Sequence, residues 1–276
     1  MNNLYISDLD KTLLQTDLTV SNFTKNIWNS LTDRGIKLTI ATARSGIKSL
    51  ELLKGLNLQH PMIVMDGAMI ISNRGDIILS HSLDEDIAGE ILQIGKRYDI
   101  EPFFIGVDDK GIERFLYPDK LNSLQQQLIN EYKKDKRLKN NLKHSPLREN
   151  VKTVYIGDKE PLEALKDELS ETFGKNIEIK FSKDPYLDGY FLTLLHPKGD
   201  KAHALRELCQ LDEFKNLEIT VFGDSHNDIG MFELAKNKIA VANALEDVKK
   251  IATHILPHSN DEDAVAKYLN QKYIYL

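Results

Sequence analysis

The chain opens on a short apolar run, Leu4-Tyr5-Ile6-Ser7, that breaks at once into Asp8-Leu9-Asp10-Lys11-Thr12. That is the pattern of a buried strand ending on carboxylates. Ser21 then stands as a helix cap before Phe23, Ile27, Trp28 and Leu31, which are spaced for one face, and Gly35 closes that helix. A second apolar run, Ile36 to Ala41, passes into Thr42-Ala43-Arg44-Ser45, followed by a helix over Lys48 to Leu56 and a strand, Met62 to Met65, ending at Asp66-Gly67. The order β-α-β-α-β, polar at each strand exit, predicts an open parallel sheet with its ligand crevice outside the carboxyl ends of the strands.

Between about His81 and Gly189 the pattern changes. It reads as a helix (Asp84 to Tyr98), strands (Pro102 to Val107, Arg114 to Tyr117), a helix (Leu121 to Lys136), a strand (Val151 to Gly157), a helix (Pro161 to Phe173) and a strand (Ile177 to Ser182). This order suggests an α+β insert with an antiparallel sheet. After Tyr190 the first pattern returns, with a strand Phe191 to Leu195, a helix Lys201 to Leu208, a strand Leu217 to Phe222, the loop Gly223-Asp224-Ser225-His226-Asn227-Asp228 and a strand Ile239 to Ala242 before Asn243. The expected fold class is therefore α/β: a doubly wound, Rossmann-like parallel core in two parts, residues 1–82 and 190–276, interrupted by an α+β domain over 83–189.

Composition narrows the function. A 276-residue chain with 41% hydrophobic residues can form a large core, and 28% charged residues with a net charge of −6 exclude disorder and collagen-like repeats. The acid excess argues against a nucleic-acid partner, and the basic run Lys133-Lys134-Asp135-Lys136-Arg137 reads as a solvated helix face. No apolar run approaches the roughly 20 residues of a membrane helix, and Met1-Asn2-Asn3 lacks a signal-peptide pattern, so no membrane partner is expected. The single cysteine, Cys209, fits a cytoplasmic location. Nothing in the composition fixes an oligomeric state.

Asp8 and Asp10 at one strand exit and Asp224 and Asp228 at another would share one small volume if both exits meet. Two like charges 4 Å apart repel by about 4 kcal/mol at an effective dielectric of 20, so such a cluster calls for a cation. Oxygen ligands without a histidine or cysteine cluster favour magnesium over zinc. Thr42 offers a hydroxyl at a helix start, and Lys201 or Lys198 offers an ammonium. Carboxylates, a divalent cation, a hydroxyl and an ammonium are the equipment of phosphoryl transfer.

These residues, as four ordered motifs (Asp8-Leu9-Asp10-Lys11-Thr12, Ala41-Thr42-Ala43-Arg44, Lys201, and Gly223 through Asp228), resemble the haloacid dehalogenase superfamily phosphatases. Specifically, the chain resembles the Cof-like subfamily with the larger, second type of cap inserted after the third core strand. The resemblance implies that Asp8 is the nucleophile and Asp10 the acid/base. It implies that Thr42 and Lys201 hold the phosphoryl oxygens, which selects Lys201 over Lys198. Magnesium would be held by Asp8, the backbone carbonyl of Asp10 and Asp224, with Asp228, Asn227, Arg44 and Asn243 supporting. Lys11, Asp66 and Ala202 depart from the family pattern, which usually has glycine, asparagine and glycine there. His226 reads as a solvent-facing loop residue, and Arg114 and Tyr117 of the insert as surface residues that could meet a polar substrate. The implied activity is hydrolysis of a small phosphorylated metabolite, sugar phosphates leading, with a lid-like cap choosing the leaving group. A phosphotransferase of phosphomannomutase type and a non-catalytic regulatory relative are the alternatives.

Overall fold

Leu4, Tyr5 and Ile6 are all buried in the strand Asn3–Ser7, and successive apolar positions of this kind require cover on both faces of a sheet. In the computed structural model, which describes residues 3–143, 145–183 and 188–274, this strand pairs in parallel with Lys37–Ile40 on one side and Glu218–Gly223 on the other. Beyond Glu218–Gly223 the sheet continues in parallel through Asn237–Ala240 to His254–Ile255. Parallel pairing sends Ser7, Ile40 and Gly223 out of the same edge. The loops that carry the acidic residues therefore start side by side.

A three-stranded sheet, Met62–Val64, Met69–Ile71 and Ile77–Ser80, meets the other edge through a parallel bridge between Ala41 and Ile63. The helix Asn22–Asp33 starts where Ser21 accepts the Thr24 amide at 3.0 Å, and Gly35, at φ 77°, follows its end. Its buried positions are Thr24, Trp28, Leu31 and Thr32, whereas Phe23, expected on this face, is exposed. At 100° per residue Phe23 lies well off the stripe that Trp28 and Leu31 define.

The chain divides into two compact units, residues 1–79 with 200–276, and residues 80–199. The second unit has a six-stranded sheet in the order Glu178–Lys183, Tyr190–Leu195, Glu149–Gly157, Phe103–Val107, Glu113–Tyr117 and Leu138–Asn140. All its pairs are antiparallel except the last. The helices Glu85–Arg97 and Lys159–Phe173 pack Ile91, Ile94, Leu162, Leu165 and Leu169 against Tyr155, Leu192 and Leu194 of that sheet.

The strand Tyr190–Leu195, expected in the parallel core, thus belongs to the antiparallel sheet of the second unit. Its nearly unbroken apolar run, Tyr190-Phe191-Leu192-Thr193-Leu194-Leu195, reads like that of a core strand, and only its partners distinguish the two. Among the described residues no helix is long and apolar enough to cross a membrane.

Candidate active site

Asp8 is the first residue past its strand, and its amide still continues the ladder, donating to the Phe222 carbonyl at 2.9 Å. Its side chain is buried, as are those of Asp224 and Asp228. Carboxylate oxygens from these three residues lie within 4.8 Å of one another. Like charges so close cost about 3–4 kcal/mol per pair even at an effective dielectric of 20.

One cation answers part of that charge. Lys201 is the first residue of the helix Lys201–Leu208, and its fully buried ammonium donates to Asp8 Oδ1 at 2.6 Å and to Asp228 Oδ1 at 2.8 Å. Burial works to lower that ammonium's pKa, but Asp8 and Asp228 outweigh it and hold it above the usual lysine range. Burial raises Asp8; Lys201 opposes this, and Asp228 and Asp224 add to it. Of the two candidate lysines, Lys201 reaches the carboxylates, while Lys198 sits in the 80–199 unit with its amide on the His196 ring.

The second oxygen of Asp228 accepts the amides of Asp224 and Ser225 at 3.0 and 3.1 Å, so this carboxylate knits the loop to Lys201. Asp224 has far less support: the Thr12 hydroxyl donates to it at a long 3.4 Å. Burial and the neighbouring Asp228 push its carboxyl up to about 6. Three carboxylates against one ammonium leave two negative charges, which one divalent ion neutralises. The donors are all oxygen, so the site fits a hard divalent cation.

Asp10 is turned elsewhere. Its carboxylate is forked by the guanidinium of Arg44, with Nε donating to Oδ1 and Oδ2 at 3.0 and 2.8 Å and Nη2 to Oδ1 at 2.6 Å. Thr42, fully buried, accepts the Arg44 amide on its hydroxyl at 3.1 Å and donates its own amide to Ile63 at 2.9 Å. Arg44 returns its carbonyl to the Met65 amide at 2.8 Å, fixing its backbone between two strand exits.

The remaining predicted residues hold loops together. Asn227 donates to Asp66 Oδ1 at 3.0 Å, tying the fourth motif to the turn after Met62–Val64. Asn243 donates to the Lys11 carbonyl at 2.8 Å and accepts the Asn260 amide at 2.9 Å. Asn260 in turn donates to the Leu14 carbonyl at 3.0 Å. His226 is exposed, 3.6 Å from Asp247. In the second unit Arg114 is paired with Asp108 at 2.9 Å.

Each departure from the family pattern has a local account. Lys11 has φ 55°, a left-handed conformation that explains why glycine is usual there. Asp66, at φ 62°, occupies a position that both aspartate and asparagine tolerate. A Cβ on Gly230 would stand 2.9 Å from the Ala202 Cβ, so the missing side chain at 230 makes room for the extra one at 202.

Four further residues shape the site, and the motif pattern alone gives them no role. Thr12, inside the first motif, is buried beside Asp224. Asp200 caps the Lys201 helix, accepting the Ala202 and His203 amides at 2.9 Å. Gly223 and Gly67 admit no side chain, since a Cβ would stand 2.7 Å from Asp228 Cβ and 2.0 Å from the Asp200 backbone respectively. An acidic residue just before a helix start was the legible signal for Asp200. The two glycines give none without the fold.

A Rossmann-like parallel α/β sheet thus gathers carboxylates from two strand exits and a helix-borne lysine into one buried cluster. The sequence model of the haloacid dehalogenase-like hydrolases matches residues 5–269, and the chain belongs to that family. It is 27% identical to 5-amino-6-(5-phospho-D-ribitylamino)uracil phosphatase YitU of Bacillus subtilis, over 96% of each chain. It is 26% identical to HMP-PP phosphatase of Serratia proteamaculans, covering 98% of this chain and 94% of that one. The crystal structure of TM0651 from Thermotoga maritima superposes with a TM-score of 0.80 at 26% identity, covering 98% and 97% of the two chains. A haloacid dehalogenase-like hydrolase from Bacteroides thetaiotaomicron shares the fold with a TM-score of 0.79, at 23% identity and over 99% and 100% of the chains.

Proposed function

We propose that the protein is a magnesium-dependent phosphatase that hydrolyses a small phosphorylated metabolite through an aspartyl phosphate on Asp8, with sugar phosphates the leading substrate class. The observation that carries this reading is the buried Lys201 ammonium bound to both Asp8 and Asp228 beside a weakly supported Asp224. The matched relatives act on a phosphorylated ribitylaminouracil and on HMP-PP, which supports a small phosphorylated metabolite as the substrate class.

In this reading Asp8 attacks phosphorus while Asp10 gives its proton to the leaving oxygen as the phosphorus–oxygen bond breaks. Asp10 then takes a proton from the water that hydrolyses the aspartyl phosphate, releasing inorganic phosphate and restoring Asp8. Lys201 and the Thr42 hydroxyl hold the phosphoryl oxygens. Asp8, the backbone carbonyl of Asp10 and Asp224 would hold magnesium, and Asp228 orients Lys201. When bound, the ion neutralises the negative charge that builds on the phosphoryl group.

The test is release of inorganic phosphate from a panel of phosphorylated metabolites, with magnesium and with EDTA, for the wild type and Asp8→Asn. Magnesium-dependent release that Asp8→Asn abolishes, in a folded variant, supports the reading. Turnover unchanged by Asp8→Asn overturns the nucleophile assignment. Movement of the phosphoryl group to another position of a hexose phosphate, without free phosphate, identifies a phosphotransferase instead.

A further inference from the structure

An acid/base needs its proton-bearing oxygen aimed at the leaving atom, and a carboxyl group on two free torsions is poorly aimed by itself. Asp10 is less buried than its acidic neighbours: its side chain is 38% exposed, against 7% for Asp8 and none for Asp228. Its own backbone is not helical, and it precedes Lys11 in a left-handed conformation. What fixes the carboxyl plane is the three-bond fork from Arg44. The fork has a rigid base, because the Arg44 amide is held on Thr42 Oγ1 and its carbonyl on the Met65 amide.

We infer that Arg44 is the positioning residue for Asp10, setting the plane and reach of that carboxyl through the planar fork and thereby governing how well the enzyme expels poor leaving groups. A guanidinium matches both oxygens of a carboxyl group at once, and a lysine at the same place offers a point charge without the plane. The inference rests on the acid/base role proposed for Asp10. Misplacing a reacting group by about 1 Å costs on the order of 100-fold in rate; the hydrolysis of the aspartyl phosphate is common to every ester, so the part of the loss that varies with the leaving group reports the proton Asp10 gives in the first step.

Leaving-group dependence reads this out. An alkyl phosphate expels a strongly basic alkoxide and needs the acid, whereas 4-nitrophenyl phosphate expels a stable phenolate and hardly does. Magnesium-loaded wild type, Arg44→Ala, Arg44→Lys and Asp10→Asn are compared on 4-nitrophenyl phosphate and on the alkyl phosphate of the panel that is turned over fastest, with circular dichroism confirming the fold. We expect Arg44→Ala to lose at least tenfold more kcat/KM, which reports the leaving-group step alone, on the alkyl ester than on the aryl ester, with KM moving less than about threefold. Arg44→Lys should show the same asymmetry, reduced in size. Equal losses of kcat/KM on both esters, or a rise in KM with kcat kept, would overturn the positioning role and make Arg44 a structural or substrate-binding residue. If Asp10→Asn itself shows no asymmetry, the acid/base reading fails; if Asp10→Asn shows it and neither Arg44 variant does, only the inference on Arg44 fails. Should Arg44→Ala not fold, the Arg44→Lys comparison carries the same decision.

Discussion

Gly67 lies so close to Asp200 that a Cβ at 67 would stand 2.0 Å from the Asp200 carbonyl carbon and 2.3 Å from the Lys201 amide nitrogen. An antiparallel bridge joins the two residues, and Gly67 has φ 100°. The turn after Met62–Val64 therefore sets where the Lys201 helix begins. Gly67→Ala meets backbone rather than a movable side chain, in a conformation alanine resists, and should cost about 3 kcal/mol or more of stability. Urea denaturation gives the number, and a loss below about 1 kcal/mol would mean that the bridge yields easily.

Lys201 is the only ammonium bonded to the buried Asp8 and Asp228 among the described residues. Replacing it by the similarly shaped methionine leaves those carboxylates uncompensated, and breaking a buried pair in this way costs about 3–5 kcal/mol. Lys201→Met should be destabilised by that order in EDTA, with phosphatase turnover reduced at least a hundredfold. Equilibrium unfolding of both proteins in EDTA checks the first figure.

Asp8 and Asp224 are both held above the usual carboxylate range, Asp224 at about 6. A carboxyl with a raised folded pKa binds its proton more tightly folded than unfolded, so it favours folding below the unfolded value near 4. That benefit is lost as pH rises through the folded value. The metal-free protein should accordingly lose stability between about pH 4 and pH 6 through Asp224, and addition of magnesium at pH 7 should recover it. Thermal melts in EDTA across this range, with Asp224→Asn as the control, measure the effect. A slope that Asp224→Asn leaves intact would assign it to other groups.

Lys11 holds a left-handed conformation that costs a non-glycine residue roughly 1 kcal/mol. Lys11→Gly should therefore raise stability by up to about 1 kcal/mol, while Asn243→Ala, which unhooks the Lys11 carbonyl and the Asn260 amide, should lower it by about 1–2 kcal/mol. Opposite signs at two ends of one hydrogen bond would separate turn strain from turn bracing. Chemical denaturation of the two variants suffices.

The sequence made the parallel core around Asp8 readable because apolar runs end abruptly on charged loops, and strand exits are where such loops must lie. The helix start at Lys201 was equally plain, with Ala204, Leu205 and Leu208 spaced for its buried side. Less was readable where partners decide. The strand Tyr190–Leu195 has the same apolar character in either sheet, and the short strands Met69–Ile71 and Ile77–Ser80 are too brief to carry a period. For the site, residue types gave the charged cluster, but the Arg44 fork on Asp10 depends on two loops 34 residues apart meeting. The Asn243–Asn260 relay to Leu14 likewise joins segments that no local pattern connects.

The chain leaves its first unit after Leu79 and re-enters it at Asp200, the very residue bridged to Gly67. That bridge works as a suture at the splice point. Residues could be added to or removed from the 80–199 segment over evolutionary time, and the register of the returning chain would still be reset at Gly67 before Lys201 is reached. The segment between is thereby free to change in length and sequence while the buried charges of Asp8, Lys201 and Asp228 stay in place.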